Sequence, residues 1–294
     1  MLDRPFDQAF LRRLERLRLQ AGRSLTNPPH GERRGYQKGS GLEFFDSRPY
    51  VPGDDPRYVD WNMFARLDRL IVKLFQAEES LCLHLLVDVS GSMGIGSPSK
   101  LDYALRAAAA LAYIGLARHE RVAIGLFKNG LHKIVGPVGG KSQFVPLLRQ
   151  LAGTGAVGRT DFRAALSAYA EQSRMPGLLI LLSDLLGDGD AYRDGIAALR
   201  RCRFEVRILH VLAEEELAPS LAGDVRLVDI ETGEEREISA DRQTLTTYAA
   251  NLHSFNQDIE AYCGRYGITC YRTGTATPFE DLMFRQLRER RFLQ

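Results

Sequence analysis

The residues best suited to binding chemistry directly follow a short apolar run in the first third of the chain. The apolar run 85–87 lies in a stretch, 83–88, that is typical of a buried strand. Asp88, Ser90 and Ser92 follow the run in the pattern Asp-x-Ser-x-Ser. One carboxylate and two hydroxyls on a tight loop are hard oxygen donors of the kind that Mg²⁺ binds. Because Ser and Asp are also common helix caps, the pattern alone equally supports a cap for the helix that follows.

Two later loops add donors of the same kind. Thr160 lies in the glycine-containing loop 155–161, just before a predicted helix, and Asp184 follows the apolar run 178–182. The carboxyl ends of parallel strands share one edge of a sheet, so Asp88 and Asp184 are expected at that edge. The sequence therefore predicts one composite site with two carboxylates and three hydroxyls.

Predicted strands and helices alternate from residue 81 onwards. Apolar strands are predicted at 83–88, 122–127, 178–182, 204–211 and 268–271. Strands that are apolar throughout and separated by helices indicate a mostly parallel sheet covered on both faces. The predicted fold class is therefore α/β, a doubly wound, mostly parallel sheet with helices on both faces, preceded by an N-terminal extension that contains a strand pair.

The chain is predicted to divide near residue 80. Residues 1–80 contain a predicted helix at 7–20 and two extended segments, 42–50 and 70–76, and are expected to pack on the main domain. Residues 81–294 are predicted to form that main domain. Alternating residues around a Glu-Thr-Gly turn predict a hairpin insertion near 225–238.

The segment between the two extended stretches is rich in charged side chains. They are Asp54, Asp55, Arg57, Asp60, Arg66 and Lys73. Opposite charges at this density either form a buried ion-pair network that braces the strand pair or present a docking surface to a partner. The bracing role is favoured, and the docking role stays open with these candidate contact residues: Asp54, Asp55, Arg57, Arg66 and Lys73.

The five donors of the predicted composite site resemble a known motif in type, order and spacing. Asp88, Ser90, Ser92, Thr160 and Asp184 are similar to the metal-ion-dependent adhesion site of von Willebrand factor A domains. The segment 48–73 and the closing segment 273–280 resemble a bacterial von Willebrand factor A-like family, filed as domain of unknown function family 58. This resemblance covers roughly residues 30–294.

The resemblance implies a metal site used for protein adhesion. Ser90, Ser92 and Thr160 would ligate Mg²⁺, or alternatively Mn²⁺, and Asp88 and Asp184 would hold it directly or through waters. One exchangeable position would remain for a carboxylate of a protein partner. Members of the family are often encoded beside a MoxR-type AAA+ ATPase, which implies such an ATPase as a partner in assembling or activating a further complex.

Other chemistries match the sequence less well. A phosphate-binding G-x-x-x-x-G-K-[ST] loop would need glycine where Val135 stands, and neither Ser90 nor Ser92 lies in a G-x-S-x-G turn. We therefore expect a binding protein and not an enzyme. Two alternatives stay open: a phosphoester hydrolase that uses the same ion, and a structural subunit whose site has lost its metal.

Composition narrows the expected partners and compartment. The 294 residues include 39 Lys and Arg against 37 Asp and Glu, a net charge of +2 that gives no reason to expect nucleic acid. Arginines concentrate in 12–34 and 285–291, either as solvated helix faces or as contacts for an acidic partner or membrane surface. The four cysteines lack C-x-x-C spacing, and no membrane-spanning run or signal peptide is evident, so a cytoplasmic protein is expected.

Overall fold

The computed structural model describes residues 6–20, 42–77, 82–173, 175–187 and 190–294. The chain forms two compact units, one of Met1–Leu25 with Leu81–Gln294 and the other of Thr26–Ser80. The first helix was expected to share a segment with the strand pair. It instead belongs to the larger unit, because Phe10 and Leu14 are buried in the core of that unit.

The secondary-structure elements are numbered in chain order. The strands are β1 (Leu42–Pro49), β2 (Ile71–Ala77), β3 (Cys82–Asp88), β4 (Arg121–Phe127), β5 (Leu131–Gly139), β6 (Gly177–Ser183), β7 (Glu205–Leu212), β8 (Gly223–Val228), β9 (Glu235–Ala240) and β10 (Thr269–Gly274). The helices are α1 (Gln8–Leu14), α2 (Trp61–Leu67), α3 (Lys100–Ala117), α4 (Phe144–Leu151), α5 (Phe162–Gln172), α6 (Ala191–Arg201), α7 (Glu214–Leu217) and α8 (Arg242–Tyr266). A helical stretch over 279–289 follows β10.

Six strands of the larger unit form one sheet in the order β10-β7-β6-β3-β4-β5. Five of these strands are parallel, and the edge strand β5 runs antiparallel to β4. From β3 the chain first adds β4 and β5 on one side and then crosses to β6 on the other. The strand order therefore reverses between β3 and β6, which is where such sheets bind ligands.

Both faces of the sheet are covered by helices, which confirms the predicted fold class. Every residue of β3 and β6 is buried, and successive residues of a strand point to opposite faces. Leu85 and Val87 pack in the core that includes α3, while Leu86 packs in the core that includes α5 and α6. Near-continuous apolar strands follow from this double burial.

Most residues of helix α3 are buried. Its small residues Ala107–Ala110 are fully buried, and their size allows the helix to lie close to the strands. None of the helices within the described ranges combines the length and the apolar character that a membrane crossing requires.

The smaller unit contains the predicted strand pair, β1 and β2, which run antiparallel with Ser47 opposite Lys73. Helix α2, which the sequence pattern did not predict, lies between them. Its first turn is capped by the Asp60 carboxylate, which accepts hydrogen bonds from the backbone N–H groups of Asn62 at 3.0 Å and Met63 at 3.1 Å. A side-chain cap of this kind satisfies backbone donors that a helix start leaves unpaired.

The hairpin of β8 and β9 is the other small sheet of the structure. Its antiparallel register runs from Gly223 opposite Ala240 to Val228 opposite Glu235. The hairpin therefore extends two residues beyond each end of the predicted range, 225–238. The turn 229–234 is closed by the Asp229 N–H, which donates to the Glu234 carbonyl at 2.8 Å.

Candidate metal centre

Asp88 ends β3 and is fully buried at the edge where the strand order reverses. Its Oδ1 accepts a hydrogen bond from the Ser90 N–H at 3.0 Å, and its Oδ2 accepts one from the Ser183 hydroxyl at 2.7 Å. Ser183 ends the neighbouring strand β6. The carboxylate is therefore fixed from both strands that flank the reversal point.

The residues 89–94, here called the serine loop, carry the two predicted serine donors. Ser90 and Ser92 are buried, and their Oγ atoms lie 3.1 Å apart. The side chain of Ser90 makes no capping hydrogen bond, although Ser90 precedes the short helical turn Gly91–Gly94. The helix α3 is capped instead by Ser99, whose hydroxyl accepts from the Asp102 N–H at 3.0 Å. The capping alternative for Ser90 and Ser92 is therefore wrong.

Thr160 is brought to Asp88 by backbone hydrogen bonds between two loops. The Gly91 N–H donates to the Gly158 carbonyl at 2.7 Å, and the Val157 N–H donates to the Val89 carbonyl at 3.0 Å. These bonds tie the loop before α5 to the serine loop. Thr160 Oγ1 lies 3.5 Å from Asp88 Oδ1 as a result.

Asp184 follows β6 and is also fully buried, but its carboxylate faces a different set of donors. Its Oδ2 accepts from the ammonium group of Lys100 at 2.7 Å, and its Oδ1 accepts from the Leu186 N–H at 3.0 Å. Its backbone carbonyl accepts from His210 Nε2 at 2.9 Å, so Nε2 carries the proton of that ring. Burial lowers the pKa of His210 to about 4, which keeps the ring neutral.

The electrostatics of the centre are set by two fully buried carboxylates, Asp88 and Asp184. Burial, together with the nearby negative charge of Asp184, raises the pKa of Asp88 to about 7. The ammonium group of Lys100 already offsets the charge of Asp184 but makes no bond to Asp88. Nearby carboxylates repel, and protonation of one relieves the repulsion. A bound divalent cation would relieve it in the same way without a proton.

The donor set matches a small hard cation. Within the described parts of the chain, no three His, Cys, Asp or Glu side chains converge as a metal-binding group. A cation at this edge would therefore depend on the hydroxyls of Ser90, Ser92 and Thr160 in addition to Asp88. Neutral hydroxyls with few carboxylates suit Mg²⁺ or Mn²⁺, which prefer oxygen ligands.

Residues 46–257 match the model of the family described as Protein of unknown function DUF58. The chain belongs to the DUF58 family. Two relatives of this chain are the uncharacterized proteins Rv1480 of Mycobacterium tuberculosis and Mb1516 of Mycobacterium bovis. Each is 32% identical over 267 residues, which cover 88% of this chain and 81% of the relative.

Two solved structures are similar to this DUF58 chain at low sequence identity. The conserved hypothetical protein BatB from Bacteroides thetaiotaomicron is 14% identical with a TM-score of 0.43, and the match covers 71% of this chain and 98% of BatB. The manganese-loaded TRAP protein of Plasmodium vivax is 20% identical with a TM-score of 0.34, covering 45% of this chain and 57% of TRAP. The family assignment rests on the sequence matches and not on these structures.

Sequence reasoning missed two charged residues beside the centre of this DUF58 protein. Lys100 is fully buried and bonds both Asp184 and Glu216. Glu216 also accepts a hydrogen bond from the Ala213 N–H at 2.8 Å, which caps α7. One signal was available in the sequence: Lys100 is the first residue of α3, where the helix dipole disfavours a positive charge. A lysine at that position indicates a nearby carboxylate.

The candidate docking residues lie in the smaller unit and form mostly local ion pairs. Asp54 accepts two hydrogen bonds from the Arg48 guanidinium at 2.7 Å each, which hold the pKa of Asp54 below its usual range. Asp55 pairs with Arg57 at 2.7 Å, and Lys73 lies 3.0 Å from Asp60. Arg66 is exposed on α2. The Arg57 side chain is 71% exposed and the Lys73 side chain 36% exposed. These ion pairs therefore lie near the surface and do not form the predicted buried network.

Proposed function

We propose that this DUF58 protein is a metal-dependent protein-interaction module. The candidate centre consists of Asp88, Ser90, Ser92, Thr160 and Asp184, and it would hold Mg²⁺, with Mn²⁺ as the alternative ion. The observation that carries the proposal is the convergence of the serine hydroxyls and Thr160 on the buried Asp88 at the strand-reversal point. Such edges are the usual ligand sites of doubly wound sheets.

The residues around the centre have separate roles in this proposal. Ser183 and the Ser90 N–H orient the Asp88 carboxylate. Lys100 fixes the Asp184 carboxylate and offsets its charge, so the total negative charge facing the ion stays low. When bound, Mg²⁺ would supply a Lewis-acidic position for one oxygen of a carboxylate. The partner is therefore expected to offer an acidic side chain.

The resemblance to family members encoded beside MoxR-type ATPases supports one class of partner. We propose that an AAA+ ATPase of this type acts together with the module, in assembly or activation of a further complex. The charged residues Asp54, Asp55, Arg57, Arg66 and Lys73 are proposed as a second contact surface. A cytoplasmic location is part of the same proposal.

Affinity capture from the native lysate tests this function. The tagged protein is used in Mg²⁺, in EDTA, and as Asp88→Ala and Thr160→Ala in Mg²⁺, with mass spectrometry to identify retained proteins. Ser142→Ala is the matched control, because Ser142 is exposed and lies outside the centre. We expect a partner retained only by the wild type and Ser142→Ala in Mg²⁺, with an AAA+ ATPase among the retained proteins.

A set of retained proteins that is identical in Mg²⁺, in EDTA and with the Asp88 and Thr160 variants would contradict adhesion through the metal. Circular dichroism of each variant shows whether it is folded, and Thr160→Ala removes only a half-buried hydroxyl. Hydrolysis of a generic phosphoester by the wild type that disappears in Asp88→Ala would instead support the hydrolase alternative.

A further inference from the structure

The tip of the β8–β9 hairpin lies against the serine loop of the candidate centre. A Cβ atom added to Gly91 would lie 3.2 Å from the Ile230 carbonyl oxygen and 3.5 Å from Glu231 Cγ. Gly91 stands between Ser90 and Ser92. A side chain there would be crowded because the hairpin approaches the loop so closely, and the approach places the Glu231 side chain beside the serine loop.

The Glu231 carboxylate is in an unusual state for a residue at a hairpin turn. Its Oε1 atom is shielded from solvent and has no hydrogen-bond partner among the residues that the structure describes. Burying a carboxylate oxygen without a donor is costly, and such oxygens in proteins are normally paired or bound to a metal. The positive charge of Arg159 contributes to lowering the pKa of Asp229 on the same turn. The shielded Glu231 oxygen lies beside the serine loop, where the structure gathers candidate cation ligands.

The turn that carries Glu231 is held in one conformation by its own hydrogen bonds. The Asp229 carboxylate accepts from the backbone N–H groups of Glu231 at 2.8 Å and Thr232 at 2.9 Å. The Gly233 N–H donates to the Asp229 carbonyl at 2.8 Å, with Gly233 at a φ of +73°. These hydrogen bonds within the turn fix the backbone position of Glu231.

We propose that Glu231 is a further ligand of the candidate centre, so that a carboxylate of the chain itself binds the cation held by the serine loop. This inference rests on the proposed function and extends it to regulation. With Glu231 bound, the position meant for a partner is filled from within the chain. An acidic partner must displace the Glu231 carboxylate from the cation. Either the hairpin then moves away from the serine loop, or the Glu231 side chain rotates.

Mn²⁺ alone is the probe that tests this role, with its binding and hydration followed by water-proton relaxation. The variants are Glu231→Gln, the matched control Glu234→Gln on the same turn, and Asp88→Ala. Glu234 is exposed, so replacing its carboxylate by an amide is expected to leave the centre unchanged. We expect Glu231→Gln to bind Mn²⁺ about tenfold more weakly. We also expect a higher relaxivity per bound ion in this variant, because a water replaces the carboxylate.

The outcomes separate the two proposals. If the wild type and Glu231→Gln bind Mn²⁺ with equal affinity and equal hydration while Asp88→Ala does not bind, the centre stands and the role of Glu231 is wrong. If the wild type does not bind Mn²⁺ at all, the centre itself is wrong, and the role of Glu231 is wrong with it.

Discussion

Lys100 is the residue whose environment most constrains the site. Its ammonium group is fully buried between the carboxylates of Asp184 and Glu216, which come from the ends of β6 and from α7. A buried ion pair contributes little net stability compared with apolar residues of the same size, but loss of one member leaves an uncompensated charge in the interior. The pairing thus fixes where Asp184 points.

Lys100→Met is expected to lower the free energy of unfolding by about 3–5 kcal/mol, because Asp184 and Glu216 then lose their shared buried cation. Urea denaturation followed by circular dichroism measures this change. Lys141→Met is the control, since Lys141 is half exposed and its pair with Glu15 is a surface pair. The control is expected to cost about 1 kcal/mol or less, and equal effects of the two variants would refute the buried role.

His84 is a second buried residue with a measurable consequence. Its Nδ1 lies 2.8 Å from the Tyr169 hydroxyl, and burial lowers its pKa to about 4. In the unfolded chain the pKa of histidine is about 6.5. Between these values the unfolded state takes up a proton that the folded state does not, so stability falls as the pH falls from about 6.5 towards 4.

We expect His84→Gln to remove about 2 kcal/mol of the stability loss that the wild type shows between pH 7 and pH 5. Urea titrations at both pH values test this expectation. His132→Gln is the control because His132 is exposed on β5, and it should keep the wild-type pH dependence. A His84→Gln variant with the full wild-type loss would show that His84 is not the group responsible.

At the scale of elements, the contact between β3 and β6 positions both aspartates. The strands pair from Cys82 opposite Gly177 onwards, and a Cβ added to Gly177 would lie 2.0 Å from the Cys82 carbonyl oxygen. No side chain fits at that distance. Gly177 is therefore required for the two strands to come together and for Asp88 to reach Ser183.

Gly177→Ala is expected to destabilise the fold by about 3 kcal/mol or more, because the backbone of β3 must shift. Gly155→Ala is the control, since no atom of the described part of the chain lies within 4 Å of a Cβ at Gly155, and its effect should stay within about 1 kcal/mol. Urea denaturation measures both variants. A mild effect of Gly177→Ala would mean that the strands tolerate a wider separation.

The elements differ in how far local sequence predicts them. Strand β3 begins one residue earlier than predicted, because its mostly apolar sequence gives a clear pattern. Helix α2 was missed because it is seven residues long and depends on its cap, Asp60. The approach of Glu231 to Gly91 is a tertiary contact, and no local pattern encodes it.

At the scale of the whole molecule, strand order explains why distant residues form one site. The reversal between β3 and β6 brings the ends of these two strands together, and the serine loop, the Thr160 loop and the hairpin tip meet beside them. Asp88 and Asp184 were predictable because both follow apolar strands. The position of Lys100 indicated a nearby carboxylate, but Glu216 could not be named as its partner, because the two residues are 116 positions apart in sequence and meet only in the folded chain.

Direct measurement of Mg²⁺ binding by isothermal titration calorimetry tests the central claim. The wild type and Ser142→Ala are predicted to bind one Mg²⁺ per chain at millimolar or lower concentrations, while Asp88→Ala and Thr160→Ala lose that binding. Absence of binding by the folded wild type at millimolar Mg²⁺, or unchanged binding by Asp88→Ala, would contradict the account.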